Sequence, residues 1–467
     1  METFNGSVTL VGSGPLAQTI AYLLVQAQTP KFKMVCTDCS DNSDNRKYEP
    51  LLFSYNENLP KGENIESILK LLNKSVCDSI GRKVPAPDVD YSSSLEAALK
   101  NAHDTDIFID ATNSIESKKL VNEAAKEYGK PAVFCSASFS SGRCSAVFDS
   151  NWQKFDGKVQ GPITSGVIGG HATNQAYFSS TGLQELVNEV VYTLPIDAEE
   201  SEIRKRISDK HMTLVGVGTI GSIIGSVWAS LGAKVTAIDR DIVELSNLTN
   251  QYVYYHSEDD PTLNLPKAKV FSRRLQSLLA NTNETPDLVV PVQKEIKSEA
   301  DIDAYSHDST VICSAVDNGY AKKLVSDYAL HKKKIASDVA ADTEGILGHV
   351  IPYYPGKTIC MHHSGIYNNS PDSITCPPGM MVAARILGAL AVGESVACLF
   401  DEPLINGKIL YNPYAPSPFI VEEKFIRCCN CVSNVVKDMN SLERRGFKVD
   451  RIGVVSPEYK EKRKQRA

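Results

Sequence analysis

Three glycines and an aspartate form the first candidate ligand site in the chain. The glycines are Gly216, Gly218 and Gly221, in a run that follows a predicted strand and opens a predicted helix. Glycine lets the backbone approach a phosphate closely, and the amino end of a helix favours negative charge. Asp239 ends the next predicted strand, at a spacing that suits hydrogen bonds to a ribose. These residues predict a nucleotide site, but they fit a nicotinamide-dependent oxidoreductase as well as an ATP-binding enzyme.

Three further blocks of sequence separate those two possibilities. The first runs from Asp239 to Gln251 and reads Asp-Arg-Asp-Ile-Val-Glu-Leu-Ser-Asn-Leu-Thr-Asn-Gln, and it is followed by Pro266-Lys267-Ala268 and Val316-Asp317-Asn318. Their order and spacing resemble the ThiF/MoeB/ubiquitin-activating-enzyme superfamily of adenylyltransferases. The resemblance covers most of Met212–Asn434. It implies a site for ATP and Mg²⁺ in the second half of the chain.

The resemblance also implies a role for each charged residue in these blocks. Lys267 would supply a compact cation for the phosphates. Asp317 is the expected Mg²⁺ ligand, because Mg²⁺ takes one or two carboxylates together with phosphate oxygens. Asp239 would bind the ribose hydroxyls, and Asp241 would help to orient its loop. Negative charge develops on the α-phosphate during the reaction and must be neutralised, so we predict that Lys267 and Asp317 are catalytic.

Two arginines of the family are replaced in this chain. Asn250 stands where the family has an arginine before Gln251, and Lys322 stands where it has one after the Asp-Asn pair. Lysine does not replace arginine where a planar fork is needed. We still predict Asn250 as a catalytic residue, Asn247 as a phosphate or ribose contact and Lys322 as a nucleotide contact. The missing arginine is expected from the other half of the chain, with Arg46 as the candidate and Arg204 or Arg206 as rivals.

Cysteines and histidines towards the C-terminal end predict a structural zinc site. Cys360-Met-His-His363 and Cys428-Cys-Asn-Cys431 lie where the superfamily has two Cys-x-x-Cys pairs. Cys360, His363, Cys428 and Cys431 form a Cys₃His set that suits tetrahedral Zn²⁺. His362 and Cys429 are alternative ligands, and reduced free cysteines are the alternative to a zinc site. Cys376 is a possible nucleophile by the same resemblance, although a structural role for it is favoured.

The chain contains an internal repeat, which extends the resemblance more loosely to Val8–Val191. Three short matches recur in the same order: Gly12-Ser-Gly14 with Gly216-Val-Gly218, Asn58–Lys61 with Asn264–Lys267, and Lys118–Val121 with Lys322–Val325, at offsets of 204, 206 and 204 residues. The first copy keeps Asp38 and Lys61, but Asn113, a poorer Mg²⁺ ligand, takes the place of Asp317. We expect a degenerate first half, in which residual nucleotide binding stays open, beside an active second half.

Both halves alternate short apolar segments with helical patterns, which is typical of βαβ units in a parallel sheet. The predicted class is α/β, with two doubly wound, Rossmann-like ThiF-type halves that form an internal pseudo-dimer. The predicted domains are residues 1–197, a degenerate ThiF-like domain; residues 198–211, a linker; and residues 212–467, an active adenylation domain with the zinc clip.

Composition limits the class of protein further. The 467 residues are 42% hydrophobic and 22% charged, an ordinary globular balance, and the net charge of −7 argues against nucleic acid as a partner. Met1–Ser7 lacks the features of a signal peptide, so we expect a cytoplasmic protein whose 12 cysteines are reduced. The uncharged run Met212–Ala233 is interpreted as a strand, turn and helix, and no membrane span is expected.

The predicted reaction is the ATP-dependent adenylation of a peptide or small-protein carboxylate, with release of pyrophosphate. The implied substrates are the C-terminus of a ubiquitin-like or sulfur-carrier protein, or a ribosomal precursor peptide. One alternative is an NAD(P)-dependent oxidoreductase, which leaves Lys267 and Asp317 without a role. The other is a catalytically weak scaffold subunit, which the replaced arginines favour and the retained Lys267 and Asp317 oppose.

Overall fold

The structure is a computed structural model, and its description covers most of the chain. The described residues are 4, 6–36, 48, 59–156, 158–181, 189–194, 196, 198–257, 261–280, 288–341, 347–358, 360–361, 381–401, 407–413, 418–422 and 448–450.

The first half forms a seven-stranded sheet flanked by helices. Its elements in chain order are β1 (Ser7–Val11), α1 (Pro15–Gln26), β2 (Lys31–Val35), α2 (Lys61–Ile80), β3 (Asp88–Asp90), α3 (Leu95–Lys100), β4 (Ile107–Asp110), α4 (Ile115–Tyr128), β5 (Ala132–Ala137), β6 (Ser141–Ser145), α5 (Pro162–Thr181) and β7 (Val190–Thr193). The strand order is β3-β2-β1-β4-β5-β6-β7. The pairs from β3 to β5 are parallel, and β6 and β7 are added antiparallel.

The second half repeats this arrangement after a short helix, α6 (Glu200–Ile207). Its elements are β8 (His211–Val215), α7 (Thr219–Ser230), β9 (Lys234–Asp239), α8 (Lys267–Ala280), β10 (Val289–Gln293), α9 (Glu299–Ser306), β11 (Val311–Ser314), α10 (Gly319–Lys332), β12 (Ile335–Ala341), β13 (Gly348–Tyr353), α11 (Met381–Leu399), β14 (Lys408–Tyr411), β15 (Phe419–Glu422) and β16 (Lys448–Asp450). The strand order is β10-β9-β8-β11-β12-β13-β14-β15-β16, so its first seven strands match the order of the first sheet.

Local sequence explains why these elements form. The central strands β1 and β8 are buried along their whole length, as expected for parallel strands covered by helices on both faces. The run Met212–Ala233 forms β8, a glycine turn and α7, so its interpretation as a strand, turn and helix is confirmed. The predicted α/β class with two doubly wound halves is also confirmed, since each sheet reverses its strand order once.

The two halves share one apolar core, which α5 and α11 bring together. These two helices pack against each other so closely that a Cβ on Gly170 would lie 2.5 Å from Cγ1 of Ile386, and one on Gly166 would lie 2.7 Å from Cβ of Ala389. Side chains from both halves belong to the same buried cluster. The domain limits at residues 197 and 212 stay predictions, and α6 lies inside the proposed linker.

One described helix, within Val382–Leu399, is long and apolar enough to cross a membrane. Its 18 residues have a mean hydropathy of 1.7 and are wholly buried inside the protein. Core helices of globular proteins have these same properties.

Candidate functional site

A cavity of about 570 Å³ opens at the carboxyl ends of β8, β9, β11 and β12. It lies where the strand order reverses between β8 and β11, the place where doubly wound sheets bind ligands. Seven residues predicted from the sequence line it: Gly216, Gly218, Asp239, Asp241, Lys267, Asp317 and Lys322. The fold therefore gathers residues from four separate parts of the second half around one space.

The glycine loop forms one wall of the cavity. Gly216 has φ +92°, and a Cβ there would lie 2.8 Å from the carbonyl oxygen of Ala315 on the neighbouring strand end. Gly221 lies below the loop, where a Cβ would meet the carbonyl oxygen of Gly216 at 1.9 Å. Gly218 is the N-cap of α7 and has open space where a Cβ would be. The loop thus leaves room for an anion at the amino end of a helix.

Asp239 is fixed at the end of β9 by two backbone donors. Val217 N donates to its Oδ2 at 2.7 Å, and Asp241 N donates to its Oδ1 at 2.8 Å. Burial raises the pKa of Asp239, although these two hydrogen bonds partly oppose the effect. The carboxylate is held against the glycine loop, at the place where a doubly wound fold binds ribose hydroxyls.

Lys267 begins α8 and its side chain reaches the cavity with only 10% exposure. Its Nζ lies 3.6 Å from Oδ2 of Asp241, and its backbone N donates to Asp241 O at 2.9 Å. Asp241 is half exposed, and both residues of this ion pair line the cavity. A lysine ammonium is a compact point charge suited to phosphate.

Asp317 follows β11 and lies just before α10. The next residue, Asn318, caps that helix: its Oδ1 accepts hydrogen bonds from Tyr320 N at 2.9 Å and Ala321 N at 3.1 Å. This cap fixes the turn that carries Asp317 at the cavity wall. A single carboxylate beside room for phosphate oxygens fits the donor set that Mg²⁺ takes in nucleotide sites.

Two of the residues predicted to contact the nucleotide, Asn247 and Asn250, lie outside the cavity lining. Asn247 lies in a 3₁₀ helix over Leu245–Thr249, where its Oδ1 accepts from Glu244 N at 2.9 Å in a capping box. Asn250 follows that helix and is buried, and neither asparagine lines the cavity, whereas Gln251 does. Contact of Asn247 or Asn250 with the nucleotide stays a prediction.

Two of the three candidate arginines are described, and both form hydrogen bonds away from the cavity. Arg204 donates to Ser230 O at 2.8 Å and to Tyr48 OH at 3.0 Å, and Arg206 donates to Leu399 O at 3.2 Å. Neither lines the cavity. Arg46 and Asp38 lie outside the described residues.

The predicted zinc ligands are almost all beyond the described part of the chain. Cys360 is described and is buried beside Tyr353 and Met361. His363, Cys376, Cys428 and Cys431 lie outside the described residues, as do His362 and Cys429. Within the described ranges, no group of three or more His, Cys, Asp or Glu side chains is placed to hold a metal.

Sequence reasoning missed several polar residues that line the same cavity. Arg240 Nη1 lies 2.9 Å from Glu295 Oε1, and Lys297 Nζ lies 2.8 Å from Glu295 Oε2. Lys294 and the exposed Tyr320 complete this side of the opening. All of them follow the carboxyl ends of β9, β10 or β11, and that position in a parallel sheet was the signal that could have identified them.

The equivalent place in the first half is filled by the protein's own side chains. Gln160 Oε1 accepts a hydrogen bond from Leu16 N at 2.9 Å, and its Nε2 donates to Ala111 O at 3.2 Å. A Cβ on Gly14 would lie 2.8 Å from that Oε1. An amide oxygen thus occupies the amino end of α1, where an anion would otherwise bind.

Asn113, the counterpart of Asp317, is fully engaged with the backbone. Its Nδ2 donates to Ala137 O at 2.6 Å and to Lys158 O at 2.7 Å, and its Oδ1 accepts from Ala137 N at 3.2 Å. These bonds connect β5 to the segment that carries Gln160. They use both N–H donors of the amide and one of the two lone pairs of its oxygen.

The chain is similar to several known proteins. Residues 193–420 match the family model described as the ThiF family. The sulfur carrier protein ThiS adenylyltransferase of Bacillus subtilis (strain 168) is 30% identical over 160 residues, which are 34% of this chain and 45% of that protein. Mouse ubiquitin-like modifier-activating enzyme 7 is 27% identical over 164 residues, 34% of this chain and 16% of that protein. The chain thus spans less than half the length of these relatives.

Among solved structures, Escherichia coli MccB with ATP is 19% identical and covers 52% of this chain and 68% of that one, with a TM-score of 0.38. The family match includes β8 to β12 and every residue that lines the cavity. Residues 193–420 of this chain are therefore a ThiF family domain.

Proposed function

We propose that this chain uses Mg·ATP to adenylate the carboxylate of a peptide or small protein. The observation that carries the proposal is that Lys267 and Asp317 line the same cavity as the glycine loop and Asp239. Lys267 supplies a cation that can bind phosphate, and Asp317 supplies a ligand for a metal ion. The glycine loop supplies a helix end that can bind an anion, and Asp239 supplies a carboxylate that can accept hydrogen bonds from ribose hydroxyls. An oxidoreductase would need only the last two.

In the proposed reaction a carboxylate oxygen of the substrate attacks the α-phosphorus of ATP. A bond forms between that oxygen and phosphorus, the bond to the β-phosphate oxygen breaks, and pyrophosphate leaves with its electron pair. Lys267 binds the phosphates and offsets the charge that develops there, and Asp239 orients the ribose. Asp317 would hold Mg²⁺, which when bound neutralises phosphate charge.

The substrate class is proposed from the relatives. One is named for a sulfur carrier protein and another for a ubiquitin-like modifier, so the C-terminal carboxylate of such a protein is our first candidate. A ribosomal precursor peptide is the second. The adenylate would then pass to a thiol, sulfur or amine nucleophile, for which Cys376 is a candidate. We also propose a structural Zn²⁺ held by Cys360, His363, Cys428 and Cys431, which metal analysis of the purified chain tests.

ATP–pyrophosphate exchange tests the proposed function. Purified full-length chain is assayed with a sulfur-carrier protein, a ubiquitin-like protein and short peptides, each with a free and an amidated C-terminus. Exchange is expected only with a free carboxylate. Lys267→Ala and Asp317→Ala are each expected to reduce it about 100- to 1,000-fold, because each removes charge stabilisation of the transition state.

The matched control is Lys61→Ala, since Lys61 is the counterpart of Lys267 in the first half. It is expected to leave exchange within about twofold, because Lys61 is not among the residues that line the cavity. Exchange that survives both Lys267→Ala and Asp317→Ala would overturn the proposal. Bound nicotinamide in the purified protein would support the oxidoreductase instead.

A further inference from the structure

Two lysines at equivalent places in the two halves have different surroundings. Lys118 and Lys322 are 204 residues apart, and each lies in the first turns of the helix that follows the fourth strand of its sheet, α4 or α10. Both side chains are buried, with 1% and 6% exposure. The two lysines therefore place a buried ammonium group at the carboxyl ends of the strands in each half.

Lys118 has every donor satisfied inside the protein. Its Nζ lies 2.7 Å from Asp110 Oδ1, 2.9 Å from Thr112 O and 2.7 Å from Cys135 O, and it donates to all three. An ammonium group carries three N–H donors. Lys118 therefore has none left for a ligand, and it acts as a structural cross-link between β4 and β5.

Lys322 has fewer and longer contacts. Its Nζ donates to Asp338 Oδ2 at 3.2 Å and to Val339 O at 3.2 Å, while Asp338 Oδ1 lies 3.1 Å away without accepting a hydrogen bond. Across the described ranges these are its two hydrogen-bond acceptors, which leaves one N–H of three. Unlike Lys118, Lys322 borders a cavity, the one that contains Lys267 and Asp317.

Asp338 and His349 lie beneath this ammonium. Asp338 is on β12, with a 1% exposed side chain, and His349 Nε2 on the adjacent β13 lies 3.6 Å from Asp338 Oδ2. Burial opposes the charged form of Asp338, but Lys322 and His349 outweigh it and hold the pKa of Asp338 below its usual range. Burial lowers the pKa of His349. By the strand registers, the first half has Phe134 where the second has Asp338.

We propose that Asp338, supported by His349, positions the Lys322 ammonium so that its third N–H donates to an anionic oxygen of the bound reactants. The inference rests on the proposed adenylation. The oxygen belongs either to the α-phosphate of ATP or to the substrate carboxylate. Lysine has a flexible four-carbon stem, and a buried carboxylate fixes where its charge lies before the reactants arrive. Asp338 and His349 are thus positioning residues, and Lys322 is the group that touches the reactants.

The test compares Lys322→Met, Asp338→Asn and His349→Gln with the wild type. Calorimetry with Mg·ATP gives ATP affinity, and pyrophosphate exchange gives kcat and separate KM values for ATP and the carboxylate substrate. Lys323→Met is the matched control, because Lys323 is adjacent, 44% exposed and paired with Asp327. Circular dichroism and melting temperature confirm that each variant is folded, and Lys322→Arg, which keeps the charge, should recover part of the loss.

Lys322→Met and Asp338→Asn are expected to weaken the same parameter, either ATP affinity or KM for the carboxylate substrate. The change is expected to reach about 100-fold, because a misplaced catalytic group has an effect of that size. His349→Gln is expected to change it less. If the oxygen belongs to ATP, ATP affinity falls; if it belongs to the substrate, KM for the carboxylate rises while ATP affinity is constant.

Two results would overturn the inference. One is a folded Lys322→Met that is like wild type in ATP affinity and in exchange. The other is a folded Asp338→Asn that is like wild type when Lys322→Met is impaired, which would leave Lys322 active without a positioning residue. A wild-type chain that binds ATP but exchanges with no carboxylate would overturn the proposed function alone; ATP affinity then decides for or against Lys322.

Discussion

The two halves of this protein share a strand order but differ at the carboxyl edge of their sheets. In the second half that edge is open and its charged side chains face a cavity. In the first half, side chains from the segment after β6 lie across the same edge, and Gln160 takes the anion position at the amino end of α1. The difference shows that two sheets with one strand order can have an open carboxyl edge in one half and a filled edge in the other.

Among substitutions that distinguish the two halves, the largest loss of stability is expected at Lys118. Lys118→Met leaves the buried Asp110 carboxylate without its cation, and breaking a buried ion pair in this way lowers the free energy of unfolding by about 3–5 kcal/mol. Urea denaturation measures that loss. The folded variant is expected to keep the ATP affinity of wild type, and a weaker ATP affinity would show that the first half contributes to nucleotide binding after all.

A smaller effect is expected at the filled glycine loop. Gln160→Ala leaves the buried Leu16 N–H without its acceptor, and an unsatisfied buried donor lowers the free energy of unfolding by about 1–3 kcal/mol. The exposed Gln153 offers a control, Gln153→Ala, from the neighbouring 3₁₀ helix over Ser150–Phe155. Calorimetry is expected to give one ATP per chain for wild type and variant. Two ATP per chain in the wild type would contradict the filled-site interpretation.

The smallest effect concerns the helices that join the halves. Burial lowers the pKa of His171 on α5 to about 4, whereas α11 contains no histidine. Between that value and the unfolded pKa of about 6.5, the unfolded chain binds a proton that the folded chain does not. Stability therefore falls as the pH falls through this window, by up to about 1.4 kcal/mol for each pH unit.

His171→Leu is expected to remove that part of the acid sensitivity. Urea midpoints at pH 7 and pH 5 measure it, and His103→Gln, at an exposed histidine, is the control. If His171→Leu and wild type lose equal stability between pH 7 and pH 5, other titratable groups are responsible for the pH dependence of unfolding.

The fold and the main site residues could be predicted from the sequence because they follow local rules. A glycine loop between a strand and a helix and an aspartate at the next strand end have a fixed spacing along the chain. Gly216 and Asp239 were identified in this way, Lys267 and Asp317 were identified from the resemblance to the family, and all four line one cavity.

The contacts that distinguish the halves could not be predicted, because they join residues far apart in the chain. Gln160 reaches the glycine loop from 144 residues away. Nothing local marks Asp338 as the partner of Lys322, since the partner of Lys118 is on a different strand. The contact of Asn247 with a nucleotide stays a prediction from the family pattern, whereas the capping box that its side chain forms with Glu244 was not predicted. Spacing predicts where a residue lies, and its partners depend on tertiary packing.

The close packing of α11 limits how this protein can evolve. The helix is as apolar as one that crosses a membrane, and it is covered by α5 on one side and by α7 on another, where a Cβ on Gly388 would lie 2.8 Å from Ile223 Cγ2. A gene that lost its first half would uncover this surface and yield an aggregation-prone product. Packing alone therefore constrains the face of α5, whatever the carboxyl edge of the first sheet binds.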